Sequence, residues 1–510
     1  MAFLIGLDVG TTNLKVIVYD LDRKAQTVHS CPTRTHYPQP GWAEYDAGEM
    51  WSDMAALLRR AVGELPDAAA VKGISVASMG EAGLLADAQG RALSPMIAWF
   101  DTRTQAQTDW WRRNVGQDEV YAITGHPIHP SFGVNKLMWL RDHQPAAYAQ
   151  AAHWLSAEDW MLYRLSGVAA TDYSVASRTM VFDVGRHCWS LSLLEKARLS
   201  PSLMPAAHPG GTMVGAITPE AARATGLAPG TPVVTGGHDH ICASFAVGAF
   251  QAGVLMDSTG TSESLILTTE QVLTSAEMCR QNFAQECHVV GDRYGVLAGF
   301  PVSGYLVEWV NRLIERGEIA SDFGLAEAAA VPPGCEGLFF LPHLRGSGSP
   351  SFDPSCRGAL VGLTAAHGRG HLLRAAIEGA CYELKSNILA LESAMGLKVQ
   401  RVFAVGKVTQ SDLWLQTKAN VTGKELTVPR VPEAAGMGAA LLAGLGAGLF
   451  GSPTEAMAFL AAPQVQVTPD VALAHLYQQQ YDAIYSRIYP ALRELYRELA
   501  RQMQAPSSAS

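Results

Sequence analysis

Phe3-Leu4-Ile5-Gly6-Leu7-Asp8-Val9-Gly10-Thr11-Thr12-Asn13-Leu14-Lys15-Val16-Ile17-Val18-Tyr19 reads as an apolar strand, an acid-glycine-threonine turn and a second apolar strand. Such a hairpin offers a polyphosphate several kinds of contact. Gly10 lets backbone N–H groups come close, Thr11 and Thr12 add hydroxyls, Lys15 adds positive charge, and Asp8 can hold Mg2+ directly or through water. The ordinary alternative is a hairpin whose turn merely carries polar residues. Downstream, Gly253-Val254-Leu255-Met256-Asp257-Ser258-Thr259-Gly260-Thr261-Ser262-Glu263-Ser264-Leu265-Ile266-Leu267 repeats the arrangement. Two such hairpins point to a duplicated domain with a nucleotide clamped between the copies, one turn at each end of the phosphate chain.

A chain of 510 residues is too long for one ordinary core, so two large domains or three smaller ones are expected. With 48% hydrophobic and 17% charged residues it can fill those cores and form a soluble globular protein. A formal charge of −9, without a basic run or aromatic-basic stripe, argues against nucleic acid as a partner. An anionic ligand must therefore be bound locally, by loops and a metal. The eight cysteines include no CxxC pair and no His at zinc-ligand spacing, which predicts reduced thiols. Asp8 interrupts the apolar opening, so no signal peptide is read there, and the Gly-rich run 436–450 is too short to span a bilayer comfortably; no membrane association and a cytoplasmic location are expected.

Along the chain, Met50, Trp51, Met54, Leu57, Leu58, Ala61, Val62 and Leu65 fall at helical spacing after Asp46 and Glu49. Gly73 to Ser78 reads as a buried strand delivering Met79, Gly80 and Glu81 at its C-terminal end, where open α/β sheets place ligands. Another short strand ends at Trp99, Asp101 and Arg103. Pro232 to Thr235 leads into a Gly236-Gly237 turn that sets Asp239 between His238 and His240. The boundary between halves is placed at 245–252. Helices then carry His371 to Glu378, Trp414 and the small-residue run Gly436 to Ala440, with a strand at Arg401 to Val405. Ile484, Ile488, Leu492 and Leu495 mark one face of a final helix, kinked or restarted at Pro490. This alternation predicts an α/β fold of two domains with mixed sheets flanked by helices, spanning 1–246 and 247–503, followed by a frayed tail at 504–510.

The ordered motifs resemble the FGGY carbohydrate kinases, of the actin-like, sugar-kinase and Hsp70 superfamily, from Asp8 to about Gly448. Gly358-Ala359-Leu360-Val361-Gly362-Leu363, followed after seven residues by His371-Leu372-Leu373-Arg374-Ala375-Ala376-Ile377-Glu378, fits one family signature. Ser131 to Leu140 is similar to the other, with Gly133 where the family prefers Pro, Ser or Thr. Leu341-Pro342-His343-Leu344-Arg345-Gly346 and Glu433 to Ala440 add to the match. The resemblance implies two ribonuclease-H-like (actin-like ATPase) domains with the active-site cleft between them. It also implies ATP and Mg2+ as cofactors, a sugar or polyol acceptor phosphorylated on a terminal hydroxyl, and compatibility with a homodimer.

Phosphoryl transfer to a hydroxyl needs a base there, a metal on the phosphates, and donors for the transferring group. Asp239 is the expected base and a second metal-facing carboxylate beside Asp8; the ordinary alternative is an Asx-turn carboxylate. Gly10, Thr11, Thr12 and Lys15, with Gly260 and Thr261, match the family's phosphate contacts. Met79, Glu81, Trp99, Asp101, Arg103, His238 and His240 are candidates for the acceptor, since carboxylates and guanidinium groups pair with vicinal hydroxyls and an indole covers an apolar face. An Asp101–Arg103 surface ion pair and a core Trp99 are the plain alternatives, and a metal site at the two histidines lacks further ligands.

The chain departs from the family where a Gly-Gly-Gly-Ala turn usually cradles the nucleotide: Gly406-Lys407-Val408-Thr409 stands there. Side chains at that turn would crowd the nucleotide, or Lys407 would gain a phosphate contact. Met79-Gly80-Glu81 likewise lacks the Met-His pair typical of D-xylulose kinases. A ketose such as a pentulose or hexulose, an aldose, or a polyol remains the expected acceptor. A catalytically weak sugar- or nucleotide-binding regulator of the same fold is the alternative, and a superfamily ATPase without a sugar acceptor is a third.

Overall fold

In the computed structural model, which describes residues 1–314 and 324–504, Phe3–Val9 (β1) and Asn13–Asp20 (β2) form an antiparallel hairpin with Asp8 opposite Lys15. Strand period fixes what each face does. Phe3, Ile5, Leu7 and Val9 enter the core with helix Ala47–Gly63 (α1), while Leu4, Ile17 and Tyr19 face the other half of the chain. Asp8 and Lys15 continue that second face at the end of the hairpin. Helix α1 begins where expected because the Asp46 side chain accepts the Glu49 N–H.

Ala25–Pro32 (β3), Val71–Ser78 (β4), Met213–Ala216 (β5) and Pro232–His238 (β6) complete a sheet of order β5-β6-β4-β1-β2-β3. The second sheet contains Val254–Thr259 (β7), Glu263–Thr269 (β8), Ala284–Cys287 (β9), Tyr294–Phe300 (β10), Arg401–Gly406 (β11), Leu426–Pro429 (β12) and Gln464–Val467 (β13), in the order β9-β10-β8-β7-β11-β12-β13. β1-β2-β3 and β7-β8-β10 are equivalent antiparallel meanders, and parallel strands follow on the far side of β1 and β7. The repeat read in the two hairpins is thus a repeat of whole mixed sheets.

Between the sheets lie helices Asp239–Ala246 (α2) and Ala434–Gly446 (α3), whose small residues bring backbones together. A Cβ on Gly438 would sit 2.1 Å from the Cys242 carbonyl oxygen, and one on Gly6 would sit 1.8 Å from that of Gly436. Residues 434–446, late in the chain, therefore pack directly on the first sheet.

Three local expectations change. Gly236 and Gly237 do not make a turn but lie inside β6, at an irregularity in its pairing with β4. A Cβ on Gly236 would meet the Val76 carbonyl oxygen at 2.0 Å, so the glycines serve close strand approach. Helix Ser486–Gln504 runs through Pro490, and the irregularity is a π-turn at Tyr481–Tyr485 just before it, which widens the backbone ahead of the proline ring. Of its expected apolar face, Ile488 is buried, but Ile484 and Leu495 are exposed. Beyond Gln504, the expected tail lies outside the described residues.

All eight cysteines are free. Among the described residues no helix is long and apolar enough to cross a membrane.

Gly438→Ala should lower stability by about 1–3 kcal/mol, the usual cost of forcing a methyl into a filled contact. A urea denaturation midpoint unchanged from the parent would contradict backbone contact between α2 and α3.

Candidate functional site

Asp8, Thr11, Thr12, Lys15, Asp239 and His240 line one cavity of about 270 Å³, bordered by Ala435 at the start of α3. Asp8 arrives at the end of β1, and Asp239 opens α2 directly after β6, the parallel neighbour of β4. Asp239 accepts the His240 N–H at 2.6 Å through its own side chain. Burial, followed by the nearby Asp239 charge, pushes the Asp8 carboxyl up to about 7, against the pull of Lys15. Lys15 lies 3.6 Å from Asp8 and 2.5 Å from Glu433. Glu433 holds a left-handed backbone (φ 50°) at the N-cap of α3, a costly conformation for a non-glycine residue.

Gly10 donates its N–H within the turn, to the Asn13 carbonyl at 3.1 Å, so that donor is already engaged. Trp99 is 42% exposed and its Nε1 donates to Thr11 Oγ1 at 3.0 Å, which ties it to the hairpin tip. Asp101 and Arg103 behave otherwise. Asp101 accepts from the Ala43 N–H at 2.6 Å and from Arg103, whose guanidinium also reaches Glu44 and lies over Trp42. Expected at the acceptor, the pair instead forms a buried brace, unlike the surface ion pair of the plain alternative, and both charged ends are already engaged. Met79 is buried in the first core.

The second hairpin tip lines another cavity, of about 360 Å³, in which Gly260 and Thr261 meet Tyr305, Lys407, Val408 and Trp414. The helix opening at Gly304 packs against that tip, with the Gly304 N–H donating to the Gly260 carbonyl at 3.0 Å. Gly406 has φ 90°, and a Cβ there would lie 2.3 Å from the Thr259 carbonyl oxygen. Val408 joins the apolar core, while Lys407 stands exposed at the rim.

The hairpins are not chemically equivalent. Relative to the shared Gly-Thr pair, the acid is one residue earlier in the second, and one residue reverses the face of a strand. Asp257 consequently does not line the cavity at the second tip. It and Glu263 are fully buried around Lys418 of helix Asp412–Thr422. Only the first hairpin brings a carboxylate to a cavity.

The acceptor-side candidates are joined by residues the sequence reading did not single out. Arg178 contacts Glu81 through Nη2 and Glu286 through Nη1, the latter at 3.3 Å. Glu286 in turn lies 2.7 Å from His238 Nδ1, and His238 Nε2 is 3.4 Å from Asp239. Burial opposes a charged imidazole, yet Glu286 and Asp239 outweigh it and push His238 up to about 9. A usable signal for Glu286 was present: it is a charge inside an otherwise uncharged β9 segment, Ala284-Gln285-Glu286-Cys287.

A sequence model described as the N-terminal domain of the FGGY family of carbohydrate kinases matches residues 3–246, and its C-terminal counterpart matches 255–447. The chain is 31% identical over 422 residues to a xylulose kinase of Escherichia coli (strain K12), covering 83% of this chain and 85% of that protein. It is also 31% identical over 473 residues to a glycerol kinase of Methylibium petroleiphilum (strain ATCC BAA-1232 / LMG 22953 / PM1), with 89% and 93% covered. Among solved structures, the xylulose kinase from Rhodospirillum rubrum superposes with a TM-score of 0.88 at 28% identity, covering 97% of this chain and all of that one (100%).

Beneath β6, Glu158 accepts the Gly236 N–H at 2.8 Å, and Asp159 and Asp172 are buried beside it. Burial first, then mutual repulsion, raises Glu158 well above the carboxylate range; burial likewise brings Asp159 to about 7 and Asp172 to about 6. Between about pH 4 and 7 these three carboxyls hold protons in the folded chain that they have lost in the unfolded one, so their contribution to stability falls as pH rises through that window. Glu158→Gln should flatten the fall while keeping the acceptor for Gly236. Chemical denaturation at several pH values measures this, and an equal slope in parent and variant would exclude a protonated Glu158.

Proposed function

The chain belongs to the FGGY family of carbohydrate kinases, and we propose that it transfers the γ-phosphoryl group of ATP to a terminal hydroxyl of a neutral sugar or polyol, with Asp239 as the general base. The observation that carries this reading is the meeting of Asp8, the Thr11-Thr12 turn, Lys15 and Asp239 on one cavity. Asp239 takes the proton of the acceptor hydroxyl as its oxygen bonds to the γ-phosphorus and the bond to the departing ADP breaks. Thr11 and Thr12 contact the phosphates from one side, and Gly260 and Thr261 from the other. Lys15, steadied by Glu433, offsets the negative charge near Asp8.

The donor set suits Mg2+. Among the described residues no three His, Cys, Asp or Glu side chains cluster as a ready-made cage, whereas a hard cation taken with its nucleotide needs only one or two carboxylates, phosphate oxygens and water. Asp8 is the first such carboxylate and Asp239 the second. When bound, the ion neutralises charge on the phosphates. Glu81 and Trp99 flank the acceptor, and His238 and His240 bracket the base. Lys407 and Trp414 belong to the nucleotide side, and Gly406, packed on the Thr259 carbonyl, sets the turn that carries Lys407 there.

A neutral acceptor is favoured because Arg178 and His238, the cations joined to Glu81 on the acceptor side, are already paired with Glu81 and Glu286. A carboxylate acceptor would have to compete for them. ADP release measured with pentuloses, hexuloses, tetritols, pentitols, glycerol and aldonates should respond to one or more neutral acceptors and not to aldonates. Ligand binding without stimulated turnover by any neutral acceptor would contradict the kinase reading. Asp239→Asn should cut turnover by about 10²–10⁴-fold, the usual contribution of a general base, with ATP binding unchanged. Near-parental turnover would remove Asp239 from that role.

A further inference from the structure

β9 belongs to the second sheet, yet it is fastened to the first half of the chain. The Gln285 N–H donates to the Gly125 carbonyl at 2.8 Å, the Cys287 N–H to Ser177 Oγ at 3.2 Å, and Tyr121 OH to the Phe283 carbonyl at 2.8 Å. Between these contacts sits Glu286, with no exposed surface. One of its oxygens meets His238 Nδ1 and the other meets Arg178 Nη1. The result is a line of five ionisable groups, Glu81, Arg178, Glu286, His238 and Asp239, with the central one supplied by the second half.

Gly80 lets the backbone pack flush against this line. A Cβ there would lie 2.8 Å from Arg178 Cγ and 3.2 Å from His238 Cδ2. Residue 80 therefore contributes bare backbone, and Arg178 and His238 supply the polar wall next to the base.

We propose that Glu286 is a positioning residue of the acceptor site: by occupying His238 Nδ1 and Arg178 together, it turns His238 Nε2 toward Asp239 and the acceptor hydroxyl. This rests on the reading of Asp239 as base. Stability alone is a poor reason for such a line, because apolar residues of similar volume usually fill a buried site at least as favourably as an ion network. Geometric control of a neighbouring group is what the network adds. A carboxylate on Nδ1 fixes which ring nitrogen is presented on the other side.

The test uses the full chain and whichever neutral acceptor of the panel gives the highest turnover. Glu286→Gln should raise the acceptor KM at least tenfold and lower kcat, with the ATP KM within twofold of the parent. His238→Asn should show the same split, and the double variant should be no worse than the poorer single, since both remove one coupling. Acceptor KM and kcat within twofold of the parent in Glu286→Gln, or additive losses in the double variant, would overturn the proposal. Should Glu286→Gln fail to melt cooperatively, His238→Asn decides alone: a parental acceptor KM there overturns it. Asp239→Asn run in parallel separates the two readings, because its loss of turnover beside a normal Glu286→Gln rejects only the role of Glu286, whereas its normal turnover rejects the base.

Discussion

Close backbone contact between α2 and α3, wedged between two sheets of one topology, is the constraint on which the site depends. Asp239 is the first residue of α2, and Glu433, which holds Lys15, immediately precedes α3. Both helices thus direct their N-terminal ends toward the hairpin that carries Asp8. Gly6, Gly436 and Gly438 allow this because their missing side chains let helix and strand backbones approach within distances no Cβ tolerates. A helix N-terminus also favours negative charge, which suits the end of a phosphate chain.

Charge is distributed unequally over the duplicated fold. The first hairpin brings Asp8 to a cavity with Lys15 3.6 Å away, whereas the second buries Asp257 and Glu263 fully against Lys418. One copy turns its acid to a cavity, and the other uses its acids to brace the sheet beneath the second tip. Removing Lys418 would leave two buried carboxylates uncompensated, so that brace is costly to break. Beside Asp239, Arg178 and His238 are each engaged by a buried carboxylate, which gives an ordered polar wall.

Much of this was legible because it is local. The apolar runs around Gly10 and Gly260, the spacing of α1 and the strand ends at Ser78 and His238 are set by near neighbours in sequence. Gly236-Gly237 was misread because its reason lies in a parallel strand, at Val76, and a glycine pair looks the same in a turn or a bulge. Asp101 and Arg103 have the residue types of a sugar site, but Trp42 and Ala43, far away in the chain, enclose them. Glu286 and Arg178 come together only when the second sheet docks on the first half, which no local pattern records.

The central claim is convergence of Asp8 and Asp239 on a single transferring phosphoryl group. The most direct measurement is a crystal structure with a non-hydrolysable ATP analogue and Mn2+, read by anomalous scattering. The account predicts the metal within coordination reach of Asp8, directly or through one water, and the γ-phosphoryl between the Thr11-Thr12 turn and Asp239. Phosphates and metal bound away from that cavity, with Asp8 and Asp239 on separate surfaces, would contradict it.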